Sequence, residues 1–427
     1  ISFLGLLITL IAAYRMARLG GGSPLAGWWA VLLIAGSPVL SGQPFAVRPD
    51  MLGVALQTCG LYLVLLALLD KTRAGSRVTW AYVAFGLAIC VKQHLLVELV
   101  LCTIILVVDR RSPAIPLKFL VRGLALATAI VLVDYGIEWV VTGGEIWNAA
   151  FVAAGQVSRI YPGGWGHALL IQYGLTRRNA GFLVLLPMIG LAIVGGKRGT
   201  AGKALAFLGV GVIGLVLANL ILDLFFNNNG LEVAAFFVSL LSGVFFLICL
   251  VFERPTLLRD RVDVILWICL AGELALVFLL AYLSTGSWLN YGIQPIVFAA
   301  VLLARAGARA VETLPRARDL WPMGLGALAI LCSAYSQVGD TNLEMRNDQA
   351  ALEQIFSHVK QPRSAAFFAD RPGLNRLSGR YDLVYDHWLY RVFETAHLAE
   401  SRSAWIGRAL SSRNLRVVIC PTDRPTL

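Results

Sequence analysis

Long apolar runs separated by short polar connections dominate the first 337 residues of the chain. A transmembrane helix needs roughly 17–25 apolar residues. By this criterion the pattern predicts spans near 2–18, 23–43, 51–69, 79–95, 96–109, 119–141, 180–196, 204–225, 231–251, 263–284, 290–308 and 319–337. The run 96–109 is short, and it is counted as a span because successive connections then alternate between the two sides of the membrane. The sequence therefore predicts an all-α polytopic membrane domain of about 12 transmembrane helices over residues 1–337.

The pattern changes at about Val338, where the chain becomes polar. Here "NDQAALEQIFSHVKQ" and "AWIGRALSSRN" have helical periodicity, whereas "SAAFFAD" and "LRVVIC" are typical of short strands. The sequence predicts a second, small α/β domain over residues 338–427.

Composition supports a membrane protein and excludes several other classes. The chain is 58% hydrophobic and 14% charged, against about 25% charge in a typical soluble domain. Its net charge of +11 does not indicate nucleic-acid binding, because the basic residues fall in short clusters between apolar runs. Six of the seven Cys lie within apolar runs, and their spacing fits neither a disulfide framework nor a zinc site. We therefore predict no metal-ligand cluster and interpret these Cys as packing residues.

The distribution of Lys and Arg predicts the sidedness of the membrane domain. One set of connections holds 19 of these residues and the opposite set holds five: Arg48, Lys92, Arg159, Arg177 and Arg178. Because Lys and Arg are enriched in cytoplasmic loops, the second set is predicted to face outward. Asp50 and the domain 338–427 face outward with it, in a multi-pass protein of the cell (inner) membrane. Ile1 would then start outside, so we expect a preceding span and outer loop to be missing from this chain.

Polar residues at two predicted outer helix ends are candidates for a site. Arg48-Pro49-Asp50 precedes the third span, and Lys92-Gln93-His94 interrupts the end of the fourth. Asp50 near a helix N-terminus is also explained as a capping acid, and Lys92 as a side chain reaching the headgroups. Charged groups at the edge of hydrocarbon are costly, however, and a Lys can bind a phosphate.

Two further outer segments carry aromatic and basic residues. The loop 142–179 contains Arg159, Tyr161, Arg177 and Arg178, after a stretch, 145–157, that is predicted to form an interfacial helix. The segment 284–295 brings Asn290 and Tyr291 to the start of the eleventh span. Aromatic rings beside Arg suit the phosphate of an amphipathic lipid, and an ordinary aromatic belt is the alternative.

Several of these stretches resemble one family. The stretches "RPDMLGVALQTCGLYLVLLAL", "GLAICVKQHLL", "GSWLNYGIQPIVFAAVLLA" and "ADRPGLNRLSGR" resemble membrane glycosyltransferases of the GT-C superfamily. The resemblance is to the glycosyltransferase family 39 type, which is related to protein O-mannosyltransferases and aminoarabinose lipid A transferases.

The resemblance implies transfer of a sugar from a polyprenyl-phosphate donor to a lipid, glycan or protein acceptor on the extracytoplasmic face. It places the main catalytic Asp upstream of residue 1 and makes Asp50 a second acidic position of the same cavity. Lys92 matches a family Lys that a Thr commonly precedes, where this chain has Val91. Asn290 and Tyr291 match a family "NY", and Gln294 stands where an acidic residue is frequent.

We assign the candidate residues on this basis. Asp50 is expected to act with the missing catalytic loop, and Arg48, Lys92, Arg159, Arg177 and Arg178 to bind the donor phosphate. The residues expected to line the cavity are Gln93, His94, Tyr161, Asn290 and Tyr291. No cofactor is certain, and a divalent cation is left open.

Two other functions fit the same sequence. One is a transporter or flippase for a lipid-linked sugar, which would favour internal repeats and polar groups at mid-membrane. The other is a non-catalytic scaffold of an envelope-synthesis complex. Membrane lipids are expected partners in every case, and nucleic acid in none.

Overall fold

The described part of the chain is helical apart from two short strands. The structure, a computed structural model, describes residues 2–37, 40, 50–108, 115–144, 162–169, 171, 260–283, 289–313, 366–368 and 417–419. Its α-helices are α1 Ser2–Ala17, α2 Pro24–Ala35, α3 Asp50–Leu69, α4 Ala74–Val91, α5 Leu96–Val108, α6 Leu117–Thr142, α7 Arg261–Leu283 and α8 Ile293–Thr313. Each overlaps a predicted span. The predicted spans at 180–196, 204–225, 231–251 and 319–337, and the interfacial helix at 145–157, lie outside the described residues.

Four of these helices are long and apolar enough to cross a membrane: α3, α4, α6 and α7. The other four are apolar but shorter. The 13 residues of α5 extend about 20 Å at 1.5 Å per residue, less than the roughly 30 Å of bilayer hydrocarbon. The lengths and composition of the described helices thus support a membrane protein. They do not establish the predicted number of twelve spans.

Helix α2 is shorter than its predicted span, 23–43. It begins after Ser23, whose hydroxyl accepts a hydrogen bond from the Ala26 amide at 3.4 Å, and it ends at Ala35. The prediction of an unbroken helix is wrong at Gly36 and Ser37, which do not continue it. The physical reason is in the sequence "GSP", because Gly terminates helices and Pro38 disfavours helical backbone in the residue before it.

Helices α1 and α3 pack with their backbones in close approach at Gly5. A Cβ atom placed at Gly5 would lie 2.6 Å from the carbonyl oxygen of Met51, and Gly5 is buried. A backbone atom cannot rotate away as a side chain can. Only glycine therefore allows α1 to lie this close to the start of α3.

Gly5→Leu is accordingly expected to destabilise the protein by about 1–3 kcal/mol, the usual cost of overpacking. The measurement is the thermal unfolding midpoint of the detergent-purified protein. Gly136→Leu in α6 is the matched control, because among the described residues a Cβ at Gly136 would have no atom within 4 Å beyond its chain neighbours and its own helix backbone. Equal midpoints for the two variants would contradict the close approach.

The turn between α3 and α4 is held by one acidic and one basic side chain. The Asp70 carboxylate accepts hydrogen bonds from the Thr72 hydroxyl at 2.8 Å and from the Thr72 amide at 3.0 Å. Arg77 donates to the same carboxylate at 2.8 Å and to the carbonyls of Leu66 and Asp70. The hydrogen bonds from Thr72, followed by the one from Arg77, lower the pKa of Asp70 to about 2. Arg77 thus joins the last turn of α3 to the connection that follows it.

A buried arginine connects α8 with α1 and the start of α7. Arg305 is 1% exposed; its Nε donates to Asp263 at 2.6 Å, and a second nitrogen pairs with Asp260. Its third nitrogen donates to the carbonyls of Ala17, at 2.9 Å, and Leu19. Arg305 therefore lies buried within α8, and its assignment from the sequence to a loop is wrong. Removing it leaves 18 basic residues instead of 19 in that set, which does not change the predicted bias.

The chain divides into two compact units, one comprising 1–136, 164–282 and 287–337 and the other 137–163, 283–286 and 338–427. In the second unit, β1 Ala366–Phe368 and β2 Val417–Ile419 pair in parallel, with Phe367 opposite Val418. Both strands lie where the sequence predicted strands. The predicted helices of this region and the domain boundary at 337/338 lie outside the described residues, so the α/β domain stays a prediction.

Candidate functional site

The candidate site forms where three separate segments of the chain meet. Helix α3 begins at Asp50, and α4 ends at Val91 because Lys92 has extended backbone angles, with φ −157° and ψ 122°. A short 3₁₀ helix, Gln93–Leu95, leads into α5, and another, Leu289–Gly292, leads into α8. The fourth span was predicted to continue to residue 95, and the polar triplet 92–94 ends it earlier.

Asp50 and Lys92 form an ion pair. The Lys92 ammonium contacts a carboxylate oxygen of Asp50, whose side chain is 5% exposed, whereas that of Lys92 is 25% exposed. Asp50 also lies in the first turn of α3, where the helix dipole favours a negative charge. The capping explanation and the site explanation are therefore compatible for Asp50. The alternative, in which Lys92 extends to the lipid headgroups, differs from this geometry, because the ammonium is paired with Asp50.

Tyr291 and His94 complete the group around Lys92. The Lys92 nitrogen lies 4.8 Å from the centroid of the Tyr291 ring, within the range of a cation–π interaction. The His94 ring packs against the same Tyr291 ring, with the centroids 4.7 Å apart. We call Asp50, Lys92, His94 and Tyr291 the lysine cluster.

The lysine cluster has the chemistry of a partly shielded anion site. Its charges are one carboxylate and one ammonium, and the ammonium keeps partial exposure on one side. A phosphate that approached Lys92 would compete with Asp50 for it and free the carboxylate to act as a hydrogen-bond acceptor or base.

The other predicted site residues are placed differently. Gln93 contacts α6, where its amide nitrogen donates to the Tyr135 hydroxyl at 2.7 Å. The backbone of Asn290 lies in the 3₁₀ helix directly before Tyr291. The remaining residues lie outside the described part of the chain: Arg48, Arg159, Tyr161, Arg177 and Arg178.

A set of buried polar side chains that was not predicted from the sequence lies beyond the lysine cluster. Gln57 donates to Glu273 at 2.8 Å, and Gln294 donates to Thr58 at 3.3 Å. Glu273 is 1% exposed and lies near the middle of α7. A carboxylic acid inside an apolar run is itself a signal of function in a membrane protein, and it could have been noted from the sequence. Gln294, noted only as a departure from the family pattern, belongs to this set.

The expectation of no metal site stays a prediction, and the structure brings together three residues that could hold a metal ion. Glu98, Cys102 and Cys269 are all buried, and one potential ligand atom from each lies within 4.8 Å of the other two. Sequence spacing did not indicate this group because Cys269 is on α7 and the other two residues are on α5. Cys102 contacts Glu98, with Sγ 3.9 Å from Oε1, and the interpretation of these two Cys as packing residues stays a prediction.

Comparison with known proteins leaves the family open. No protein-family model and no curated protein matches the chain. Among solved structures the chain is similar to ArnT from Cupriavidus metallidurans bound to undecaprenyl phosphate, at 14% identity and a TM-score of 0.45. The similarity covers 98% of this chain and 74% of that one. A similarity at this identity and TM-score assigns neither a fold, a family nor a site to this chain.

Proposed function

We propose that this protein is an integral-membrane glycosyltransferase of the GT-C type. It would transfer a sugar from a polyprenyl-phosphate-linked donor to a lipid, glycan or protein acceptor. The active site would lie on the extracytoplasmic face of the inner membrane. The observation that carries the proposal is the lysine cluster, because residues assigned to one cavity from short, separate motifs lie in mutual contact.

Lys92 would bind the donor phosphate. Cleavage of the bond between the anomeric carbon and the phosphate oxygen leaves the electron pair on the phosphate, so a fixed cation there stabilises the transition state. Tyr291 holds the ammonium from one side. Arg48, Arg159, Arg177 and Arg178 would add further cations, as the resemblance implies.

Asp50 would act on the acceptor side. The acceptor hydroxyl oxygen attacks the anomeric carbon while its proton moves to a carboxylate, a contribution of about 10²–10⁴-fold. We assign Asp50 to this step or to orienting the acceptor. Gln93, His94, Tyr161 and Asn290 would line the cavity, and a divalent cation is compatible with this chemistry.

One observation favours a second candidate, a transporter or flippase for a lipid-linked sugar. Such proteins carry polar groups at mid-membrane, and the pair Gln57–Glu273 lies well inside α3 and α7. The transporter proposal predicts movement of the intact donor across a bilayer without cleavage.

The test is transfer of radiolabelled sugar by the full-length protein, including any residues that precede Ile1, in proteoliposomes containing a polyprenyl-phosphate-linked sugar. Asp50→Asn is expected to reduce transfer about 10²-fold or more, because the amide cannot accept the proton. Asp70→Asn is the matched control, since Asp70 lies in an exposed turn. Translocated but uncleaved donor would identify the transporter instead, and equal transfer by the two variants would remove Asp50 from the mechanism.

A further inference from the structure

A group of thiols and carboxyls lies between α5 and α7, apart from the lysine cluster. Glu98 and Cys102 are one turn apart on α5, and Cys269 and Glu273 are one turn apart on α7. All four are at most 1% exposed. Each helix therefore presents one thiol and one carboxyl on the face that meets the other helix.

The two helices bring these groups together in antiparallel register. Cys102 and Cys269 neighbour each other, Leu101 lies against Gly272, and Glu98 neighbours Glu273. Along this contact the residue numbers of α5 rise while those of α7 fall. The two thiols are therefore neighbours, and so are the two carboxyl groups.

Two buried oxygens at this group lack hydrogen-bond donors. Glu98 Oε2 and Gln57 Oε1 are buried and have no hydrogen-bond partner among the described residues. In the same part of the chain, no Lys, Arg or His pairs with Glu98 or Glu273. The Gln57 amide donates to Glu273 and orients that carboxyl. The unsatisfied atoms are acceptors, which a cation would satisfy.

We propose that Glu98, Cys102 and Cys269 bind a thiophilic divalent metal ion of the Zn²⁺ class, with Glu273 as fourth ligand or as hydrogen-bond partner of Glu98. The three ligand atoms already lie within 4.8 Å of one another. Tetrahedral zinc with Zn–S bonds near 2.3 Å needs sulfur atoms about 3.7 Å apart, which small side-chain rotations would provide.

The ligand types decide the class of metal. Thiolates select soft or borderline ions such as Zn²⁺, whereas Mg²⁺ and Ca²⁺ require sets of oxygen ligands. Gln57 supplies the kind of outer hydrogen bond that fixes a ligating carboxylate. A bound ion would also join the short helix α5 to α7 inside the bundle.

The test is the metal content of the full-length protein, purified in detergent without chelator and measured by plasma mass spectrometry. About one equivalent of zinc per chain is expected in the wild type and in Cys59→Ser. Cys59 is a half-buried free Cys on α3 and serves as the matched control. Cys102→Ser, Cys269→Ser and the conservative Glu98→Gln are expected to lose most of the metal while eluting as monodisperse protein.

Cobalt substitution provides a readout that does not depend on total metal content. Co²⁺ added to the stripped wild-type protein is expected to give a thiolate-to-cobalt charge-transfer band, and the same band in Cys59→Ser but not in Cys269→Ser. Absence of the band in wild type, or the same zinc content in all variants, would overturn the proposal. A Cys102–Cys269 disulfide in the mass spectrum of the unreduced protein would overturn it as well, in favour of a redox pair.

Discussion

Lys92→Met is expected to lower sugar transfer about 10²- to 10³-fold, the usual cost of removing one preorganised group from a developing negative charge. The ammonium is held by Asp50 on one side and by the Tyr291 ring on another, and 25% of its side chain is exposed. It is therefore fixed in place and still reachable by a phosphate. Methionine is also unbranched and nearly as long, and it removes the charge together with the N–H donors. The measurement is the initial rate of transfer in proteoliposomes.

An effect of Lys92→Met on folding must be distinguished from an effect on catalysis, because the substitution leaves the buried Asp50 carboxylate without its cationic partner. The double variant Asp50→Asn/Lys92→Met removes both charges, so it is expected to regain the thermal midpoint of the wild type while staying inactive. Lys118→Met is the matched control, since Lys118 is exposed at the start of α6. Wild-type transfer by Lys92→Met, or recovery of transfer in the double variant, would contradict the role of Lys92.

Arg305→Leu is expected to destabilise the protein by about 3–5 kcal/mol, the cost of breaking a buried ion pair by removing one partner. The guanidinium is 1% exposed and is the partner of Asp263, whose side chain is 2% exposed. Its loss also removes the hydrogen bonds to Ala17 and Leu19 at the end of α1. The measurement is the free energy of unfolding or the thermal midpoint of the purified protein.

A second variant distinguishes an unpaired charge from a loss of packing. Replacing Asp263 by Leu in the Arg305→Leu background is expected to restore much of the stability, because buried ion pairs are often no more stable than apolar residues of similar size. Arg15→Leu is the surface control, with an expected change within about 0.5 kcal/mol. If Arg305→Leu unfolds at the same midpoint as Arg15→Leu, the buried network has no structural role.

Local patterns in the sequence predicted the helices and the position of the lysine cluster. The apolar run from Asp50 is helical as far as Leu69, as the pattern predicted. The triplet 92–94 interrupted an apolar run, which indicated a boundary but not its exact residue. Tyr291 was assigned through a resemblance, and its contact with Lys92 depends on the packing of distant segments.

Long-range pairing explains what the sequence did not predict. Arg305 was counted as a loop residue because charge counting does not show that Asp263, on another helix, would neutralise it. Cys102 and Cys269 lie far apart along the chain, and their approach requires the antiparallel register of α5 and α7. The Arg residues of 142–179 lie outside the described residues, so their place at the site stays a prediction.

Binding of a polyprenyl-phosphate-linked sugar, measured by native mass spectrometry of the full-length protein released from detergent, tests the central claim most directly. The lysine cluster as donor-phosphate site predicts a one-to-one complex in the wild type and in Lys118→Met, and loss of that complex in Lys92→Met. Equal occupancy of the lipid donor in all three proteins would contradict the assignment of the cluster as the place where the phosphate binds.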